Sequence, residues 1–311
     1  MPSLQLSDNS TIKSFPPVIR QLNNNAYPPV QISMEEETEK HSEFVQIDGV
    51  TTHLYKITGW TIPVWTLGHA GHVSVPDVPD KLAEEKASYT TCTLDGQIKH
   101  KLTFINKFVP KDVKLIFIGH SIGCYMILKL LDELDSHHVL RCFMLFPTIE
   151  RMAESPKGEI ATPMLRYLRW LGILVIHFLS YLSPHVQYRM ILWYFKNRKV
   201  PNCIYNACMS LFDPFCVGNV MYMANQEMQV VKELDEDLVH KHLSKISFYY
   251  GQSDHWCPQE YYYDMRMKFP HGDFKLCDKG HEHAYVIESS EEMAHTVWSK
   301  FIPVFDFRNF E

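Results

Sequence analysis

No C-x-x-C motif occurs among the eight cysteines, and the closest pair, Cys203 and Cys208, has no zinc-finger context. Free thiols in a reducing compartment are therefore expected, rather than a metal knuckle or a disulfide frame. Positive charge is in deficit, with 30 Lys and Arg against 36 Asp and Glu and a net charge of −6. That balance argues against a nucleic-acid partner. The opening stretch MPSLQLSDNSTIKSFPPVIRQLNNNAYPPVQIS lacks the apolar centre of a secretory leader. It is polar, carries Asn and Pro clusters, and runs into the acidic MEEETEKHSEF, so residues 1–43 are expected to be a mostly disordered leader. What is present is apolar material: 46% hydrophobic and 13% aromatic over 311 residues, enough for one large α/β domain with a cap.

The stretch KLIFIGHSIGCYMILKLL (114–131) concentrates the information. Leu115 to Ile118 show no polar alternation, which predicts a central parallel strand covered on both faces. Ile122 to Leu131 are helix-compatible, and only Gly119 to Gly123 remain to make the turn. A serine at the apex, Ser121, would have strained backbone angles, while Gly119 and Gly123 would let strand and helix close up. The pattern G-x-S-x-G alone is weak, and the plain alternative is a turn serine capping a helix. The strand–turn–helix setting favours a nucleophile elbow.

Around this turn, strands alternate with helices, predicting an α/β-hydrolase-type architecture: a mostly parallel sheet, helices on both faces and a helical cap. Residues 44–59 read as two strands about Asp48-Gly49, 63–67 as a short strand, 75–93 as a polar loop and 95–108 as an amphipathic helix. Strands follow at 114–118, 141–146, 246–251 and 273–277, and helices at 122–135, 258–268 and 290–300. The core is thus assigned to 44–149 and 244–311, and the cap to 150–243.

A serine hydroxyl needs a histidine to take its proton and a carboxylate to orient that histidine. Reactive groups in such sheets sit at the carboxyl ends of strands. Strand 246–251 is followed by QSDHWCP, which puts Asp254 at a strand end, and strand 273–277 by DKGHEHAYV, which offers His281 and His283. Asp264, on a helix, and Asp278 are less well placed. Spacing leaves the two histidines undecided. His281 with His283, or His69 with His72, could form a metal pair, but neither has a third ligand, so no metal is expected. His120 is expected to pack or hydrogen-bond locally.

PVWTLGHAGH (63–72), LIFIGHSIG (115–123), LFPTIERMAESPKG (145–158), PFCVGNVMYMANQEM (214–228), FYYGQSDHWCP (248–258) and HAYV (283–286) together resemble the lipid droplet-associated hydrolases of the α/β-hydrolase superfamily. The resemblance places the nucleophile on Ser121, the acid on Asp254 and the base on His283, with the Ile122 N–H in the oxyanion hole. It implies a serine esterase of neutral lipids, with sterol esters as suggested substrates and a role in lipid storage and cholesterol homeostasis. Residence on lipid droplets and on the cytosolic face of the endoplasmic reticulum follows from the same likeness, and no cofactor is called for. One departure stands out. Family members carry a further apolar strand and a Pro-Gly-Asn-Pro-Gly-like loop after the first hairpin, whereas here Trp60 leads almost directly to Pro63. A central strand, and the loop giving the second oxyanion N–H, are expected to be missing. Either that N–H is lost, or PVWTLGHAGH slides into the vacant place with Gly68 to Gly71 as a substitute loop.

Residues 160–212 contain no Asp or Glu but six basic residues, Arg166, Arg169, Arg189, Lys196, Arg198 and Lys199. Their apolar run LGILVIHFLSYL (171–182) is twelve residues long, with His177 and Ser180 inside it. Spanning a bilayer takes about 20. It suits an amphipathic helix or hairpin in a phospholipid surface, with Trp170, Leu171, Ile173, Leu174, Ile176, Phe178 and Leu179 facing lipid. The plain alternative is an ordinary cap whose helices bury against one another.

Overall fold

The structure is a computed structural model and describes residues 39–47, 50–58, 63–72, 91–134 and 137–301. Seven strands and ten helices are named below in chain order: β1 (Glu39–Ile47), β2 (Val50–Thr58), β3 (Val64–Leu67), α1 (Leu94–Phe108), β4 (Lys114–His120), α2 (Ile122–Glu133), β5 (His138–Leu145), α3 (Pro156–Tyr167), α4 (Arg169–Ser180), α5 (Pro184–Tyr194), α6 (Asn202–Met209), α7 (Pro214–Val230), α8 (Glu236–His242), β6 (Ile246–Gly251), α9 (Gln259–Lys268), β7 (Asp273–Cys277) and α10 (Ser290–Phe301). β1 begins inside the stretch assigned to a leader; residues 1–38, and most of the 75–93 stretch expected to be a polar loop, lie outside the described residues.

The chain divides into two compact units, residues 1–43 with 54–66 and residues 44–53 with 67–311. In the first, Lys56 pairs with Glu43 and lies over the Trp65 ring. The second holds a four-stranded sheet of order β4-β5-β6-β7, parallel throughout. β1, β2 and β3 form a separate three-stranded sheet in that order.

The split corrects one expectation. Among the described residues β4 is an edge strand of its sheet, not a central one, and Ile118 is 59% exposed. Its apolar run matches a strand flanked on both sides, but among the described residues only β5 pairs with it. β6, with every residue buried, is the strand that such a run describes. Among the described residues β3 pairs with β2, in the sheet that does not include β4.

A run of helices lies between β5 and β6. Ser155 opens α3 by accepting from Gly158 N (3.0 Å), with Pro156 at the first helical position. α4 packs on α7, where Gly172 leaves room for Met221 and Ile173 Cδ1 lies against Gly218. No helix among the described residues is long and apolar enough to cross a membrane.

Candidate active site

The parallel ladder continues a step beyond the strand ends. Ser121 N donates to Leu145 O (3.1 Å), Phe146 N to Tyr249 O (2.7 Å) and Gln252 N to Cys277 O (3.2 Å). The loops after β4, β5, β6 and β7 thus leave from one rim. Ser121 sits at the apex of the first loop with φ 55° and ψ −126°, a strained conformation for a residue with a side chain. Its hydroxyl makes no cap to α2, so the plain reading of a helix-capping serine does not describe it. Gly119 makes the tight passage possible: a Cβ there would lie 2.7 Å from Ile127 Cδ1 and 3.0 Å from Cys124 N. Gly123 does not share that role, because a Cβ there meets nothing within 4 Å.

The Ser121 hydroxyl lies 2.8 Å from His283 Nε2, and His283 Nδ1 lies 2.7 Å from Asp254 Oδ2. The second distance fixes the tautomer: Nδ1–H donates to the carboxylate, leaving Nε2 to accept from the serine. His281, the other candidate, points elsewhere, with Nε2 3.4 Å from Glu292 Oε2. Asp264 is paired with Arg151 (2.7 Å).

Asp254 is only 3% exposed. Burial works to raise its carboxyl, but the hydrogen bond and charge of His283, with donation from Cys257 Sγ and Trp256 N, hold it below the usual carboxylate value. Oδ1 accepts from Trp256 N (2.7 Å) and Cys257 N (3.2 Å), and Oδ2 accepts from Cys257 Sγ (2.9 Å) as well as from His283.

Several neighbours went unread in the sequence. Thr148 is 1% exposed, with its hydroxyl 3.5 Å from Ser121 Oγ. Phe146, at φ 50°, packs edge-on to His283 and beside Tyr285. Gly251 is glycine because a Cβ would lie 2.3 Å from the Phe146 ring. His120 packs locally, as expected, and also donates from Nε2 to the His283 carbonyl (2.8 Å), tying the elbow to the histidine loop. Burial, then the charge of His283, push His120 down to about 4, so it stays neutral. Thr148 and Phe146 belong to the LFPTIERMAESPKG stretch at the end of a strand, but nothing in that stretch assigned either a role at the site.

Ile122 opens α2, and first-turn amides have no partner within a helix. The loop proposed as a substitute is committed elsewhere: Gly68 N donates to His53 O, Ala70 N to Gln97 Oε1 and His72 N to His69 O. His69 Nδ1 and His72 Nε2 are buried without a hydrogen-bond partner. Burial first, and then Lys101, depress both imidazoles, His72 to about 4. The one group of potential metal ligands among the described residues is Asp254, Cys257 and His283. All eight cysteines are free.

Of the residues expected to face lipid, Trp170, Leu171, Leu174 and Phe178 are exposed. Ile173, Ile176 and Leu179 are half-buried instead, because α4 turns that side inward while Tyr167, Val175 and Tyr181 extend the outer one.

A parallel sheet carrying a strained serine at a strand-to-helix turn defines an α/β-hydrolase. Solved structures agree on the fold: a membrane phospholipase A superposes with a TM-score of 0.56 at 14% identity, covering 88% of this chain and 87% of its own. A 2-hydroxy-6-oxo-6-phenylhexa-2,4-dienoate hydrolase from a Rhodococcus strain gives 0.55 at 11%, covering 85% and 99%. The sequence is more specific. The profile of the lipid-droplet associated hydrolases matches residues 49–286, and the chain belongs to that family. The lipid droplet-associated hydrolase of Gallus gallus is 41% identical over 235 residues (75% of this chain, 72% of the relative), and that of Homo sapiens 40% over 250 residues (78% and 76%). The Drosophila melanogaster relative is 37% identical over 240 residues (75% and 77%).

Proposed function

We propose that the protein is a serine carboxylic-ester hydrolase of neutral lipids, sterol esters among them, working at the lipid-droplet surface and on the cytosolic face of the endoplasmic reticulum in lipid storage and cholesterol homeostasis. The observation that supports it most is the unbroken relay from Ser121 Oγ through His283 to Asp254, at 2.8 and 2.7 Å. His283 Nε2 takes the serine proton as Oγ attacks the ester carbonyl. The Ile122 N–H faces the developing oxyanion, and Asp254 stabilises the imidazolium. The imidazolium then protonates the departing alcohol, and water, deprotonated by the same Nε2, releases the acid and frees Ser121. Droplet residence is supported by the names of the relatives and by the outer face of α4 and α5, whose exposed apolar residues lie among basic ones and no acidic ones. A fluorophosphonate probe tests the chemistry: labelling of the wild type that disappears in Ser121→Ala is expected, and no labelling under conditions that mark an ordinary esterase rejects it.

A second reading is a droplet-surface protein with little turnover. It is favoured by the Gly68 to Gly71 loop, where the Gly68 and Ala70 amides are engaged by His53 O and Gln97 Oε1. One missing oxyanion donor costs about 10²–10³ in rate. If Ser121→Ala abolishes the effect on cellular lipid while droplet targeting persists, this second reading fails.

A further inference from the structure

We propose that Cys257 is a positioning residue for His283, its thiol sharing the carboxylate oxygen on which the imidazole rests; the proposal builds on the serine-hydrolase reading. Sγ is completely buried and 2.9 Å from Asp254 Oδ2, the atom that also accepts from His283 Nδ1. The backbone N–H of the same cysteine reaches the other oxygen, Oδ1, so one residue grips both ends of the carboxylate. With Trp256 N and His283, four donors meet an acceptor that offers about four sites. The carboxylate cannot turn without losing one of them.

Two donors on one oxygen compete. The thiol is a weak donor, so it steadies Oδ2 while leaving most of that oxygen's basicity to His283. Alanine would hand Oδ2 to the imidazole alone and favour its charged form. Serine, a stronger donor, would draw Oδ2 away and disfavour it. A cysteine that merely filled space would do neither. The other titratable groups around His283 do not blur this. His120 is held near 4 by burial and the His283 charge. Burial also raises the Tyr285 hydroxyl and the Cys124 and Cys257 thiols, so all three stay neutral.

The experiment follows the His283 imidazole by ¹⁵N NMR titration in the full chain, alongside kcat/KM against pH on a soluble short-chain ester. Cys257→Ala is expected to raise the acid-limb midpoint and Cys257→Ser to lower it, each by about half a pH unit, with KM unchanged. Movement of both variants in one direction, or of neither, overturns the proposal. If Cys257→Ala does not fold, Cys257→Ser decides alone. The NMR titration needs no turnover, so a wild type that fails to take the fluorophosphonate while the midpoints still move apart rejects the hydrolase reading and keeps the positioning role.

Discussion

Two regions of the molecule reverse the places that polarity alone would assign. Around the strand ends, a carboxylate is buried. In the helical insert, α4 is the most apolar helix of the chain and has no buried residue. Asp254 tolerates burial because four donors replace the water it lost. α4 has no such compensation for an exposed apolar face, and Phe178 is 63% exposed. Patches of that kind on soluble proteins mark a surface that something else covers. The lesson is that burial follows satisfied partners, and exposure of apolar surface follows function.

The largest effects lie in the first region. Ser121→Ala should remove probe labelling and ester hydrolysis altogether, and Asp254→Asn should lower kcat about 10⁴-fold by stabilising the wrong imidazole tautomer. A kcat within tenfold of wild type for the asparagine variant would show that the relay is not used. In the second region, Leu174→Asp with Phe178→Asp should weaken binding to a phospholipid-coated triglyceride emulsion at least tenfold. Hydrolysis of a soluble short-chain ester should stay within a factor of two. Equal loss of both activities would mean that the outer face of α4 supports the fold instead.

A smaller contrast lies within the elbow. Gly119→Ala pushes a Cβ into Ile127 and the Cys124 amide and should destabilise by about 2 kcal/mol. Gly123→Ala enters open space in a helix and should be neutral or stabilising by up to about 1 kcal/mol. Urea midpoints of the two variants measure this directly.

What could be read from residues alone followed the physics of each segment. β6 and its loop to Asp254 were legible because a short stretch rich in β-branched and aromatic residues, bounded by turn residues, reads as a strand in an α/β chain. Ser121 was legible because strand, small residues and helix leave a single turn. His283 was not separable from His281 by spacing, since both follow β7 within one loop; only the resemblance chose between them, and the direction in which each imidazole points is a tertiary fact. The exposure of Ile118 was hidden for a related reason: apolar composition records the neighbours a strand is built for, not those it has. Cys257 and Thr148 lay inside stretches that carried the resemblance but had no role legible from spacing, because a side chain that partners a loop carboxylate or hydroxyl has no period.

The last comparison sets two of the three buried carboxyls among the described residues against each other. Glu227, on α7, is 8% exposed, and burial alone, with no compensating charge or hydrogen bond among the described residues, pushes it up to about 8. Asp254 is held low by its donors; Glu227 has none to hold it. Its folded value lies above the unfolded one, so between roughly pH 4.5 and 8 the unfolded chain has released a proton that the folded chain keeps. Stability therefore falls as pH rises through that window. Glu227→Gln removes the ionisation at nearly constant shape. It should leave stability at pH 5 almost unchanged and add about 3–4 kcal/mol at pH 8, a rise of several degrees in Tm. Equal Tm shifts at the two pH values would mean that Glu227 is ionised in the fold, and that a partner stands beside it as four donors stand beside Asp254.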